Sequence, residues 1–368
     1  MAKYDVSILT EKDHPAYHDF LQHHPDSLYE HSLEIKEMVE KYFGFTPLYL
    51  IATKQDSAPG TSVKNYTGNS IQQPNSICGI LPLFKAISLV EGTRFVSIPF
   101  FPFGGVLGEN VECEKTLLDK AKELSHGGKF LEIRQQKKLK NAVAEGLVMQ
   151  SPIIDFYLDF KENEEKMMQS LDKSVRYDIR KAQKFGLKVY IGKEKKGLDD
   201  FYDVYLNTRK RRGVPAWPYG LFEEALLKCK AKVSVTYLEG KPIAAAFLFF
   251  DKEVIEYAFA GADYKYTHMC PYYLLIWEVI RSGIKDGYKR LDFGGTTREM
   301  NDGNMYLFKD KWCSGKEEIP YYFYSKDPKN IPALKSSFKI YKIYGTVWSL
   351  LPKKVIKLIS PYVIRQFV

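Results

Sequence analysis

The sequence lacks any apolar run long enough to span a lipid bilayer. The longest uncharged apolar stretch covers residues 95–108, contains two prolines and ends in a glycine-rich segment. A membrane-spanning helix needs about 20 consecutive apolar residues. The N-terminus, Met-Ala-Lys-Tyr-Asp, also lacks the apolar core of a signal peptide. These absences predict a cytoplasmic protein.

Cysteine and histidine are sparse where metal sites or catalytic triads would need them. The five cysteines are scattered, and no two of them are two residues apart. This pattern favours free thiols over a disulfide framework or a zinc site, so we expect no bound metal. Five of the seven histidines precede residue 32. The glycine pairs at 104–105 and 294–295 belong to no nucleotide fingerprint, and we expect no tightly bound cofactor.

What is present is the composition of a folded α/β protein. The chain has 368 residues, of which 45% are hydrophobic and 27% charged. This length exceeds one ordinary hydrophobic core and favours two domains. Periodicity predicts two α/β blocks joined near residue 155. In the second block we expect a strand at 153–160, helices at 164–185 and 199–211, a hairpin of 233–238 with 243–250, a strand at 254–260, a helix from 271 to 285 and a strand at 290–293.

The element order of the second block matches the layout of GNAT acyltransferases. In that fold two neighbouring parallel strands separate, and the gap receives the acyl donor. The helix after the first of these strands directs its N-terminus at donor phosphates, because unpaired N–H groups and the helix dipole favour anions there. Pro271 suits the first turn of such a helix.

Four stretches resemble the FemAB family and the related BioF2-like acetyltransferase domains. They are residues 79–84 with 94–100 and 103–105, residues 130–134, residues 175–182, and residues 291–295 with 308–312. The resemblance implies an α/β (α+β) fold of two tandem GNAT-like domains, with mixed sheets flanked by helices. The sequence lacks the coiled-coil arm of some members. We expect domains at 1–154 and 155–330, the second on the donor side, and a tail at 331–368.

The resemblance also implies a chemistry. In the best-known members the donor is an aminoacyl-tRNA and the acceptor is a peptidoglycan precursor. Transfer of an activated acyl group to an amine needs alignment and stabilisation of the oxyanion, and it needs no enzyme nucleophile. We therefore look for a fixed cation. Lys309 matches the lysine of the family's Phe-Lys motif and is the predicted catalytic residue, although a solvated surface lysine is the simpler interpretation.

Further candidates for substrate contacts fall into two groups. Arg176, Arg180 and Lys184 are four residues apart, so they share one helix face that suits phosphates, or that simply faces water. The second group surrounds the last strand and the segment after it: Asp292, Gly294, Gly295, Arg298, Asn304 and Phe308. Its glycines would let the backbone approach a ligand.

The C-terminal segment carries much of the excess charge. The net charge of the chain is +9, and the residues after position 332 include seven cations and no acid. The cations are Lys335, Lys339, Lys342, Lys353, Lys354, Lys357 and Arg365. A basic, apolar tail predicts contact with an anionic membrane or nucleic acid, or a helix packed on the body with its lysines in water.

Three functions remain open at this point. The first is transfer of an aminoacyl group from charged tRNA to an amine of a cell-envelope precursor. The second is N-acyl transfer from acyl-CoA or acyl carrier protein to an amino sugar or amino acid in envelope polysaccharide biosynthesis. The third is a non-catalytic binding protein at the inner face of the membrane. The basic run 209–212 would bind tRNA, or it would only interact favourably with the dipole at the C-terminus of a helix.

Overall fold

The structure is a computed structural model that describes residues 4–54, 62–64, 70–72, 76–298, 303–332, 345 and 347–366. Lys335, Lys339 and Lys342 of the tail lie outside these residues. Among the described residues, no helix combines the length and apolarity needed to cross a membrane.

The elements follow one another in this order: β1 (Tyr4–Ile8), α1 (His14–His23), α2 (Leu33–Phe43), β2 (Thr46–Pro47), β3 (Leu50–Lys54), β4 (Ser62–Lys64), β5 (Ser70–Gln72), β6 (Ile77–Leu81), β7 (Phe84–Ser88), β8 (Gly92–Val96), β9 (Leu107–Gly108), α3 (Val111–Leu124), β10 (Leu131–Arg134), β11 (Val148–Asp159), α4 (Glu164–Ser170), α5 (Lys173–Lys184), β12 (Lys188–Gly192), α6 (Lys195–Arg211), α7 (Tyr219–Lys228), β13 (Ala231–Leu238), β14 (Lys241–Asp251), β15 (Val254–Ala262), α8 (Pro271–Lys285), β16 (Arg290–Thr296), α9 (Asn304–Trp312), β17 (Gly315–Tyr324) and α10 (Lys353–Ile364).

The chain divides into two compact units. Unit 1 consists of Met1–Ser151, Ile319–Pro332 and Gln366–Val368, and unit 2 of Pro152–Glu318 and Ala333–Arg365. The predicted domain limits, 1–154, 155–330 and 331–368, stay predictions, since compactness alone does not define domains that fold independently.

Unit 1 contains two groups of strands and its own core. One sheet has the order β1-β3-β6-β9 and is antiparallel throughout. In the other group, β10 pairs in parallel with β8 and antiparallel with the last residues of β17. Helix α3 packs on the first sheet. Asn110 starts this helix by accepting a hydrogen bond from the N–H of Cys113, 3.0 Å away.

Unit 2 is built on the strand order β12-β13-β14-β15-β16-β11. β14 is buried along residues 243–250, so both of its faces are covered. Phe247 packs against the rings of Phe201 in α6 and Phe222 in α7. The alternate positions, such as Leu248, belong to the core cluster that includes α5 and α8. Successive side chains of a strand point to opposite faces of the sheet. β14 therefore contacts α6 and α7 on one face and the core with α5 and α8 on the other.

The predicted helix at 164–185 is wrong in its continuity. The chain leaves the helical conformation at Leu171 and Asp172, where ψ is 153° and 145°. The Asp172 carboxylate then accepts a hydrogen bond from the N–H of Ser174 at 2.7 Å, which caps a second helix, α5. The capping conformation of Asp172 interrupts the helix that precedes it. The helical spacing of the apolar residues continues across residues 171 and 172, so the sequence pattern does not show the break.

Candidate active site

Two neighbouring parallel strands of unit 2 separate along their length. β15 and β16 pair only over residues 254–256 and 290–292. Beyond these residues, β15 stays paired with β14 as far as Ala262, whereas β16 follows β11 as far as Thr296. Because each strand keeps its other neighbour, a gap opens between them. The separated strands expected from the element order are therefore confirmed.

A cavity of about 320 Å³ lies in this gap. Its walls come from β15, β16, α6, α8 and α9. The lining residues are Tyr205, Arg209, Arg212, Tyr257, Ala258, Phe259, Ala260, Tyr272, Phe293, Asn304, Met305, Phe308 and Lys309. An apolar wall with a few polar groups is typical of a ligand site.

Lys309 is held rigidly at this cavity. Its ammonium donates hydrogen bonds to the carbonyl oxygens of Gly294 and Gly295, at 2.8 and 3.1 Å. An ammonium has three N–H donors, so one is left for a ligand. Burial lowers the pKa of Lys309 to about 8, and the carboxyl groups of Asp155, Asp292 and Glu256 oppose this effect. The side chain is mostly charged at neutral pH and loses its proton in mild alkali.

A pair of carboxyl groups lies behind the lysine. Asp155 is only 8% exposed, on a part of β11 where a bulge brings it opposite Gly295. Burial raises the pKa of Asp155 well above its usual value, and the neighbouring Asp292 raises it further. Burial raises the pKa of Asp292 as well, but this carboxyl accepts a hydrogen bond from the N–H of Gly294, at 2.6 Å, and another from Asp155, and both bonds favour its charged form. We therefore expect the shared proton on Asp155 and the negative charge on Asp292.

Gly294 connects these groups through its backbone. Its φ is +69°, in the left-handed region that favours glycine. In this conformation its N–H reaches Asp292 while its carbonyl accepts from Lys309. The predicted Asp292, Gly294 and Gly295 thus surround the lysine and hold it in place.

Sequence reasoning missed two residues of this site, Asp155 and Tyr257. Asp155 lies between the apolar residues Ile154 and Phe156 of β11, and an acid at such a position is a signal that could have identified it. The Tyr257 hydroxyl is buried and has no hydrogen-bond partner among the described residues, although its side chain lines the cavity. Burial raises the pKa of Tyr257 well above its usual value, so the hydroxyl keeps its proton and can donate.

Three predicted residues lie on or near α9. Asn304 and Phe308 line the cavity with Lys309. Arg298 does not belong to that lining, and its guanidinium lies 5.8 Å from the centre of the Tyr306 ring. The segment before Phe308 includes the first turn of α9, which begins at Asn304. Its residues 299–302 lie outside the described part of the chain.

The structure does not bring Arg176, Arg180 and Lys184 to the cavity. They lie on α5, and none of them is among the lining residues. Arg176 donates to the carbonyl of Gln169 at 2.8 Å, while Arg180 and Lys184 are exposed. Their binding of phosphate stays a prediction.

Comparison with known proteins agrees with this geometry. Residues 169–306 match the family described as "Acetyltransferase (GNAT) domain". A stretch of 134 residues is 25% identical to a UDP-N-acetylmuramoylpentapeptide-lysine N(6)-alanyltransferase of Weissella viridescens. This match covers 36% of the chain and spans only 40% of the length of that relative.

Solved structures share the fold over much more of the chain. The crystal structure of FemX is similar with a TM-score of 0.65 at 14% identity, over 93% of this chain and 100% of that one. A tandem GNAT protein from the clavulanic acid biosynthesis pathway gives a TM-score of 0.50 at 9% identity, over 89% and 99% of the two chains. The chain thus contains an acetyltransferase (GNAT) domain at residues 169–306 and is similar in fold to FemX over most of its length.

Proposed function

We propose that this protein is an acyltransferase that moves an activated aminoacyl group from aminoacyl-tRNA to an amine of a cell-envelope precursor. The observation that carries the proposal is the cavity between β15 and β16 with Lys309 fixed at its wall. The relative from Weissella viridescens is named for alanyl transfer to a lysine of a peptidoglycan precursor, which supports the proposed donor and acceptor classes.

The reaction follows from the chemistry of an ester and an amine. The neutral amine attacks the ester carbonyl, a C–N bond forms, and the C–O bond to the tRNA ribose breaks. The amine nitrogen loses a proton, and the departing ribose oxygen gains one. The remaining N–H of Lys309 would stabilise the negative charge on the carbonyl oxygen or on the leaving oxygen. Asp292 keeps the lysine oriented and charged.

The other cavity residues would bind the donor. Asn304 and Phe308 lie beside Lys309 on α9, and the Tyr257 hydroxyl has a free donor for a carbonyl or hydroxyl of the transferred group. Arg212, on the α6 side of the cavity, would face the phosphates nearest the reacting ester. Arg176, Arg180, Lys184 and Arg298 would contact more distant phosphates of a long donor such as tRNA.

A second candidate is N-acyl transfer from acyl-CoA or acyl carrier protein. The match of residues 169–306 to an acetyltransferase domain favours it, because this region includes most of the cavity. The chemistry at Lys309 is the same, with a thiolate as the leaving group. The two donors differ in their phosphates, which are many in tRNA and few in CoA.

The donor can be identified with purified protein, an amine mixture that includes a lysine-containing envelope precursor, and two sets of donors. One set is a pool of charged tRNAs, and the other is a panel of acyl-CoA thioesters. The proposal expects loss of the acyl group from tRNA, steeply weakened by salt because phosphate contacts release counterions. Loss from thioesters alone would replace it by the second candidate. No loss from either set, with folded protein, would end both.

The proposed function also specifies partners and a compartment. The partners are the acyl donor and the amine acceptor, and the compartment is the cytoplasm, where charged tRNA and CoA are available. Contact between the C-terminal segment and an anionic membrane is part of the proposal, since it would bring the enzyme near envelope precursors carried by lipid.

A further inference from the structure

Helix α10 is docked on unit 2 through only one of its faces. Ile356, Ser360 and Ile364 are four residues apart and buried. The hydroxyl of Ser360 accepts a hydrogen bond from the N–H of Ala216 at 3.1 Å. The ammonium of Lys353 lies 2.9 Å from a carboxylate oxygen of Asp203 on α6. These contacts set the orientation of the helix, so its opposite face points away from unit 2.

The outward face is apolar to an unusual degree. Leu358 is 72% exposed and Tyr362 is 61% exposed, and Val355 lies on the same side by helical spacing. Leu350, which precedes the helix, is 78% exposed. Single exposed apolar side chains are common, but an ordered stripe of large ones marks an interaction surface.

Cations border this stripe. Lys354 is exposed beside Val355, and the guanidinium of Arg365 lies 5.3 Å from the centre of the Tyr362 ring. The sequence from residue 333 to the end contains no Asp or Glu. A helix with large apolar side chains on one exposed face and cations at its border has the pattern of a helix that lies in a membrane interface.

The alternatives fit this face less well. Nucleic acid would pair with the cations but would leave the aliphatic side chains of Leu350 and Leu358 without partners. A second copy of the chain, related by two-fold symmetry, would bring Lys354 and Arg365 close to their own equivalents. An anionic lipid surface satisfies both the charges and the apolar groups.

We propose that the outward face of α10, together with Leu350, binds an anionic lipid bilayer, with Leu358 and Tyr362 inserted among the acyl chains and the cations at the lipid phosphates. This inference deepens the membrane contact of the proposed function. Its assay needs no acyl transfer, so the two can fail separately.

The test is sedimentation of the full-length protein with vesicles of 70% phosphatidylcholine and 30% phosphatidylglycerol, and with vesicles of phosphatidylcholine alone. We expect binding to the anionic vesicles and at least about tenfold weaker partitioning for Leu358→Glu, since a large apolar side chain is withdrawn and a like charge is added. Tyr362→Ser, which adds no charge, should also weaken binding. The matched control is Leu227→Glu, at a residue of α7 that is 81% exposed and lies outside the proposed surface.

Each result has a defined meaning. Unchanged binding by both α10 variants, or equal loss in Leu227→Glu, would overturn the inference. So would a change of oligomeric state in sedimentation velocity, or of binding to a labelled RNA, without a change in vesicle binding. Transfer between soluble donor and acceptor should persist in Leu358→Glu, and vesicle binding should persist when Lys309 is replaced. These two readouts separate failure of the membrane contact from failure of the proposed chemistry.

Discussion

Replacement of Lys309 by methionine removes the ammonium from the cavity and keeps a side chain of similar length. Three N–H donors are lost, two of which are occupied by Gly294 and Gly295. The third is the one available to the reacting ester. A preorganised donor of this kind contributes about 3–4 kcal/mol to the stability of the transition state. The rate of transfer should therefore fall about 100- to 1,000-fold.

Stability should change much less than the rate. The fall of the Lys309 pKa from 10.5 to about 8 opposes the charged form by about 3 kcal/mol. Methionine removes this cost, but it leaves two carbonyl oxygens without a donor and the negative charge of the carboxyl pair without this cation. Because these effects oppose each other, we expect a melting temperature close to that of the wild type. A lower rate without lower stability is the signature of a residue kept for function.

The assay is single-turnover transfer from the donor identified above, with thermal unfolding measured on the same preparations. Lys311→Met is the matched control, because Lys311 is exposed on the same helix. The control should retain the wild-type rate within about twofold. If Lys309→Met transfers within about fivefold of the wild type, or loses rate and stability together, the role of the lysine is refuted.

The remaining predictions concern the groups around the lysine and the frame of the cavity. Once corrected for the fraction of acceptor amine that is neutral, the wild-type rate should fall as pH rises through about 8, because Lys309 loses its proton there. Between pH 8 and 10.5 the folded state binds fewer protons than the unfolded chain, so the free-energy cost of burying Lys309 falls as pH rises. Asp292→Asn should move the fall of the rate in alkali to lower pH, because the charge that favours protonated Lys309 is removed. Asp155→Asn should leave the fall at the same pH, because an amide mimics a protonated carboxyl. Equal shifts in the two variants would disprove the assignment of the proton. Tyr257→Phe should reduce kcat/KM about threefold to tenfold with no loss of stability, since a single hydrogen bond contributes about 0.5–1.5 kcal/mol, and an unchanged kcat/KM would remove the hydroxyl from the site. Thr208→Val should lower the free energy of unfolding by about 1–3 kcal/mol, measured by denaturant, because the buried hydroxyl accepts from the N–H of Ala262 at 3.0 Å, and an unchanged midpoint would contradict this.

The sequence predicted the elements whose signals are local. The predicted hairpin is formed by β13 and β14, and Pro271 starts α8 as expected. The predicted helix end at residue 185 agrees with the end of α5, which Gly186 follows with φ of +68°. Backbone conformation at these positions is decided by one or two residues, so single-sequence reasoning suffices.

The candidate site was predictable only in part. Lys309 and the glycines at 294 and 295 were identified through motifs, and the structure brings them together. Asp155 was missed because its importance depends on the pairing of β11 with β16, whose residues are more than 130 positions apart in the sequence. An acid between apolar residues marks the position as unusual, but the sequence does not show which residues the strand and its bulge place opposite it.

The cavity owes its existence to backbone divergence, not to small side chains. β15 and β16 are each held by an outer neighbour, so the width of the gap is set by backbone hydrogen bonds and not by the side chains that face it. Ala258 and Ala260, which line the cavity, can therefore be enlarged without loosening the sheet. A scaffold of this kind separates the choice of transferred group from the stability of the frame, which makes it readily adaptable to new acyl donors.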